Sequence, residues 1–192
     1  MRVYCIFGIA MAAVLSAHAQ DCVVTVYMRT DLLPPTGTLS SAEAKATAIF
    51  QKIGVAVRWR EGAPGATAPA DACGAPLIVR IETSDQVHAS PEALAFATPF
   101  ADSGTCIHVL LDRVLRSSVE SLASVVLAYV LTHEISHVLE RVDRHSKEGI
   151  MKAHWDCADY WRMENGRLVF SPEDVDLIHS GIAGRVLRAS ME

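Results

Sequence analysis

The sequence predicts one α+β domain, a mixed sheet packed on two long helices. Five short runs rich in β-branched and apolar residues read as strands, and two longer capped segments carry apolar residues at helical spacing. At 192 residues the chain is long enough for one hydrophobic core and too short for two comfortable ones.

In order along the chain, MRVYCIFGIAMAAVLSAHA (1–19) reads as a cleaved signal peptide. Arg2 gives a positive start, an apolar run follows to about Leu15, and Ala17-His18-Ala19 has the small-x-small form of a cleavage site. The apolar run is too short to span a bilayer. Residues 20–192 form the mature domain, expected to be soluble and secreted or periplasmic. CVVTVYMRT (22–30) is a strand. Ser40 and Glu43 have capping-box spacing and open a helix closed by Gly54. VAVRWR (55–60) alternates as a half-buried strand does, and EGAPGATAPADACGAP (61–76) is a loop. LIVRIE (77–82), ALAFATPF (93–100) and CIHVLLDRV (106–114) are further strands, the last two separated by a turn. Ser117 and Glu120 cap a second helix running to about Leu139, and Ser171-Pro172 open a final one.

Cysteine usage fits export. Four cysteines remain after residue 19, an even number suited to an oxidising compartment. Cys22 opens one strand and Cys73 leads into another, so Cys22–Cys73 would staple two neighbouring strands, with Cys106–Cys157 as the second pair. The formal charge of −5 becomes −6 without Arg2. Basic residues form no run along the sequence, which argues against nucleic acid and stable membrane association. Oligomeric state is not legible.

The second helix carries the chemistry. Leu122, Val126, Val130, His133 and His137 fall on one stripe, so two imidazoles one turn apart face inward. Buried polar rings need partners, and a zinc ion at about 2.0–2.1 Å from each ring nitrogen satisfies both. Glu134 projects about 100° around the helix from His133. It can flank a metal without binding it, take a proton from an attacking water and pass it to a leaving amine. H-E-x-x-H therefore carries a mechanism. Catalytic zinc wants a third protein ligand and one open position. His145, beyond the helix end, is the foremost candidate. Asp143, Glu148, His154 and, less favourably placed on the helix, Glu140 are rivals.

His133-Glu134-Ile135-Ser136-His137, then His145, then Gly149-Ile150-Met151 resembles the metzincin arrangement of zinc endopeptidases. HEISHVLERVDRHSKEGIMKAHW is more closely similar to a group of small secreted bacterial proteins with the pattern HEIGHxLLxxxxHSxxGIMxAxW, themselves predicted metzincin-like proteases. The resemblance extends loosely from Cys22 to the last helix. It implies a compact zincin-type fold, one zinc per chain, His145 as third ligand and Met151 as the packing methionine beneath the metal. Two departures stand out. Metzincins place the third histidine six residues after the second with a glycine between; here the gap is eight and that glycine is absent. No tyrosine follows Met151 by two, so an oxyanion-stabilising role stays open between His154 and Tyr160. In zinc endopeptidases an edge strand above the active-site helix binds extended peptide, a role open to 93–100 beside an ordinary structural one. His88 and His108 read as structural or exposed.

The expected function is a secreted zinc metalloendopeptidase with metal ligands His133, His137 and His145 and general base Glu134, acting on peptide or protein substrates. With the first strand so close behind the cleavage point, no inhibitory pro-segment is expected. The alternative is a catalytically silent zinc-binding protein on the same fold. Intact Glu134 argues against it, because a structural zinc has no use for that carboxylate.

Overall fold

A computed structural model describes residues 22–32, 34–65, 73–101, 104–117 and 120–191. The signal peptide expected over 1–19 lies outside them. Strands β1 (Val23–Thr30), β2 (Ala56–Glu61), β3 (Leu77–Glu82), β4 (Ala95–Ala101) and β5 (Gly104–Leu110) form one sheet in the order β2-β1-β3-β5-β4. β1 pairs in parallel with β2 and β3, and β3 in parallel with β5. A helix between β1 and β2 supplies the crossover that parallel pairing needs. Only two residues separate β4 from β5, too few for a crossover, and that pair is antiparallel.

Among the described residues five α-helices complete the fold: α1 (Thr38–Gln51), α2 (Leu111–Ser117), α3 (Ala123–Glu140), α4 (Cys157–Glu164) and α5 (Pro172–Ala189). Alternate strand residues Val24, Val26, Met28 and Leu77, Val79, Ile81 are buried in one cluster with Phe50 of α1 and Leu127, Leu131 and Ile135 of α3. This is the period-2 pattern meeting the period-3.6 pattern. α5 packs on the outer side of α3 at very short range. A Cβ on Gly181 would lie 1.7 Å from the Leu139 carbonyl oxygen. Gly181→Ala should therefore cost about 3 kcal/mol by forcing the two backbones apart. A urea midpoint equal to that of the wild type would contradict this crossing.

Several local expectations need correction. The strand expected over 106–114 ends at Leu110, and α2 follows. Asp112 accepts bonds from the Ser84 backbone N–H and hydroxyl (2.8 and 2.6 Å), and Arg116, one turn on, pairs with Asp112 at 2.8 Å. The capping box at Ser40 does not form, and α3 does not open at Ser117. α1 starts at Thr38 behind Gly37, and Ser40 Oγ donates to the Gly37 carbonyl. α3 starts at Ala123 after a 3-10 turn over Glu120–Leu122, while Ser117 Oγ donates back to Val114. The Ser171 box does form, with Asp174 as its reciprocal partner. α4, capped by Asp156 and Asp159, was not anticipated. Cys22–Cys73 is bonded as expected, but Cys106 and Cys157 are free. Ile107 and Val109 of β5 point into the core, so Cys106 points to the other face of the sheet; Cys157 begins a helix packed on α3. The two thiols lie on opposite sides.

Candidate metal centre

α3 is buried almost all round, since α1, the sheet, α4 and α5 all contact it. Two of its buried hydroxyls are satisfied from within: Thr132 Oγ1 donates to the Ala128 carbonyl (2.8 Å) and Ser136 Oγ to the Thr132 carbonyl (2.7 Å). The histidines behave differently. His133, 7% exposed, donates Nδ1–H to the Ile150 carbonyl at 2.8 Å. That bond fixes the ring and leaves the Nε2 lone pair free. His133 Nε2 and His137 Nε2 then face each other at 3.0 Å. The His145 ring closes the group, its centroid 5.4 Å from that of His133 and 4.9 Å from that of His137. One nitrogen from each of the three lies within 4.8 Å of the others.

This arrangement fits a metal. Two neutral imidazoles that present lone pairs to each other repel unless a proton or a cation lies between them. Tetrahedral zinc at about 2.0–2.1 Å from each nitrogen needs an N–N separation of about 3.3 Å, close to what the helix already provides. Electrostatics agree. Burial, reinforced by the neighbouring His137, depresses His133 to about 3, and burial with His145 nearby depresses His137 to about 4. Both rings are neutral at pH 7, the form a metal binds.

Glu134 is 8% exposed and borders the same cleft. Burial raises its carboxyl to about 7, and a cation among the three imidazoles would draw it back toward the ionised form. The cleft has a volume of about 450 Å³, with His133, Glu134, His145, Trp155 and Tyr160 on its walls and floor. Leu94 and Ala95, at the start of β4, border it too, so the edge strand of the sheet reaches the site.

The turn after the site supports it. Gly149 has φ 79°, and a Cβ there would meet the Val169 carbonyl at 2.5 Å, so only glycine fits without displacement. Ile150 and Met151 follow, fully or almost fully buried. The Ile150 carbonyl accepts from both His133 Nδ1 and Trp155 Nε1, the latter at 3.2 Å, and the Trp155 ring stands edge-on to His133 at 5.5 Å. Sequence reading assigned neither residue a role. Ile150 acts through its backbone, which no side-chain pattern reveals, whereas a tryptophan four residues past Met151 was a visible signal.

The structure also shows how α3 stops without the glycine. Arg141 adopts φ 60° and ψ 23°, the left-handed conformation, and its N–H donates to the His137 carbonyl at 3.1 Å. A non-glycine residue there costs about 1–2 kcal/mol, which the surrounding contacts must offset. Of the rival ligands, Asp143, Glu148 and His154 are exposed and outside the cluster, although His154 lines the cleft with Tyr160. Glu140 is buried near Arg144 and Asp174, away from the three rings. His88 is exposed; His108 bonds Glu82 at 2.6 Å and stacks on Phe96.

No protein-family model matches the chain, and no curated protein matches it. Among solved structures it is similar to the crystal structure of archaemetzincin from Methanopyrus kandleri, with a TM-score of 0.52 and 11% sequence identity. The match covers 83% of this chain and 96% of that one. The fold is metzincin-like. At that identity the likeness speaks for architecture alone, and the chemistry rests on the side chains described above.

Proposed function

We propose that this chain is an exported zinc-dependent peptidase, with one zinc held by His133, His137 and His145 and with Glu134 as general base. The observation that carries the reading is the convergence of three imidazoles beside a buried carboxylate, in a cleft bordered by an edge strand. Zinc bound there would supply Lewis-acid polarisation of a scissile carbonyl and would acidify an attacking water. Glu134 would accept the proton and return it to the leaving amine. The outer edge of β4, the last strand in the sheet order, is suited to pairing with an extended peptide. Export is supported by the Cys22–Cys73 bond, and no described helix is long and apolar enough to cross a membrane.

A silent zinc-binding protein would share the three histidines. Against it stands Glu134, whose carboxylate has no hydrogen-bond partner among the described residues and borders open cleft rather than filling core. The test is cleavage of a mixed peptide library by purified protein, with chelator and after zinc is restored. Cleavage should disappear with chelator and return with zinc. No cleavage by zinc-loaded protein, or cleavage indifferent to chelator, overturns the proposal.

A further inference from the structure

His145 poses a positional problem. His133 and His137 are held by a buried helix, and His133 has the Ile150 carbonyl to orient it. His145 lies on an exposed loop, and its ring makes no hydrogen bond among the described residues. A side chain so placed would sample several rotamers and contribute little affinity to a metal site. The residues on either side of it are not free, however. Arg144 Nη2 donates to Asp174 Oδ1 at 2.8 Å, and Ser146 Oγ donates to the same oxygen at 2.5 Å. Ser146 N also donates to the Met151 carbonyl at 2.7 Å, joining the loop to the turn beneath the site.

We propose that Asp174 is the positioning residue for the third metal ligand, through its grip on both sequence neighbours of His145. The inference rests on the reading of His145 as a zinc ligand. Asp174 has no exposed surface and sits at the third position of α5, where Oδ2 accepts the Ser171 backbone N–H at 3.0 Å. It is thus fixed to its own helix by one oxygen and to the ligand loop by the other. α5 is in turn locked against α3 by the Gly181–Leu139 approach, and α3 carries the other two histidines. The chain of contacts His145 loop–Asp174–α5–α3 closes back on the metal site through rigid elements. It does the work that a short glycine turn would otherwise do, and so lets the longer loop return its imidazole to the cluster.

A residue that acts only on overall stability would not distinguish zinc binding with and without His145. Zinc affinity would be measured by competition with a chromophoric chelator, and amide exchange would be followed in zinc-free protein. Asp174→Ala should weaken zinc binding about 10–100-fold, the usual range for a partner one shell removed. Asp174→Asn keeps an acceptor for Ser146 and should weaken it less; it carries the test should the alanine variant not fold. Ser171→Ala removes the helix cap but leaves Asp174 in place, so it should lower the melting temperature and keep zinc affinity. In a His145→Ala background, Asp174→Ala should add no further loss. In zinc-free protein the Ser146 amide should exchange about tenfold faster once Asp174 is alanine. Equal losses of affinity with and without His145, or unchanged exchange at Ser146, overturn the positioning role. Normal zinc affinity in His145→Ala alone overturns instead the ligand assignment, and the Ser146 exchange rate still decides what Asp174 holds.

Discussion

Glu134→Gln should retain one zinc per chain while peptide cleavage falls about 10²–10⁴-fold, the range ascribed to a positioned general base. Glutamine keeps the shape of the side chain and removes only its ability to accept a proton. Because the Glu134 carboxylate makes no hydrogen bond among the described residues, the exchange breaks no structural contact. Burial already pushes its carboxyl up to about 7, which means that the ionised form is costly in the metal-free fold. The variant should therefore melt no lower than the wild type. Zinc content by elemental analysis, melting temperature and cleavage rate together check the assignment. A variant that lost its zinc would make Glu134 a ligand, and one that cleaved at the normal rate would leave it without a catalytic role.

The parts of the site that sequence disclosed are those set by local geometry. Two histidines four apart on a helix meet on one face whatever the rest of the fold does, and the residue after the first must flank them. Ile150 and Trp155 lie outside that logic: one contributes a carbonyl, and the other bonds that same carbonyl and so stands edge-on to His133. The left-handed Arg141 was equally hidden, since glycine or asparagine is the residue type that signals such a cap. Nothing near His145 announces that a carboxylate in a later helix holds its neighbours.

The fold divides in a similar way. β1, β2 and β3 alternate or carry β-branched residues, so their positions could be read to within a residue or two. CIHVLLDRV could not be divided in advance, because Leu111 and Val114 are buried at a helical interval that an unbroken apolar run conceals. The Cys106–Cys157 pairing failed for a tertiary reason: counting cysteines does not say which face of a sheet each one takes. Ser40 had capping-box spacing but lost to Gly37, and α3 opens after a 3-10 turn rather than at Ser117, whereas Ser171, followed by proline, kept its box.

His145→Ala should weaken zinc binding by about a hundredfold or more, since loss of a ligand exceeds the 10–100-fold cost of losing a partner one shell out. The geometry leaves His133 and His137 as a preformed pair with nitrogens 3.0 Å apart, and His145 as the one further donor among the described residues that comes within 4.8 Å of both. Two imidazoles alone leave zinc half-coordinated by protein, which does not hold a catalytic ion tightly. The alternatives make opposite predictions. Asp143 is exposed and acts on His137 only as a nearby charge, so Asp143→Ala should change zinc affinity by less than about fivefold, as for an exposed ion pair. Glu140 is buried between α3 and α5 beside Asp174, so Glu140→Gln should leave zinc affinity near that of the wild type. Because His145 is exposed and its aromatic contacts are to the other two histidine rings, its removal should spare the zinc-free fold. A titration in which Asp143→Ala lost more affinity than His145→Ala would replace the three-histidine site with one of two histidines and a carboxylate.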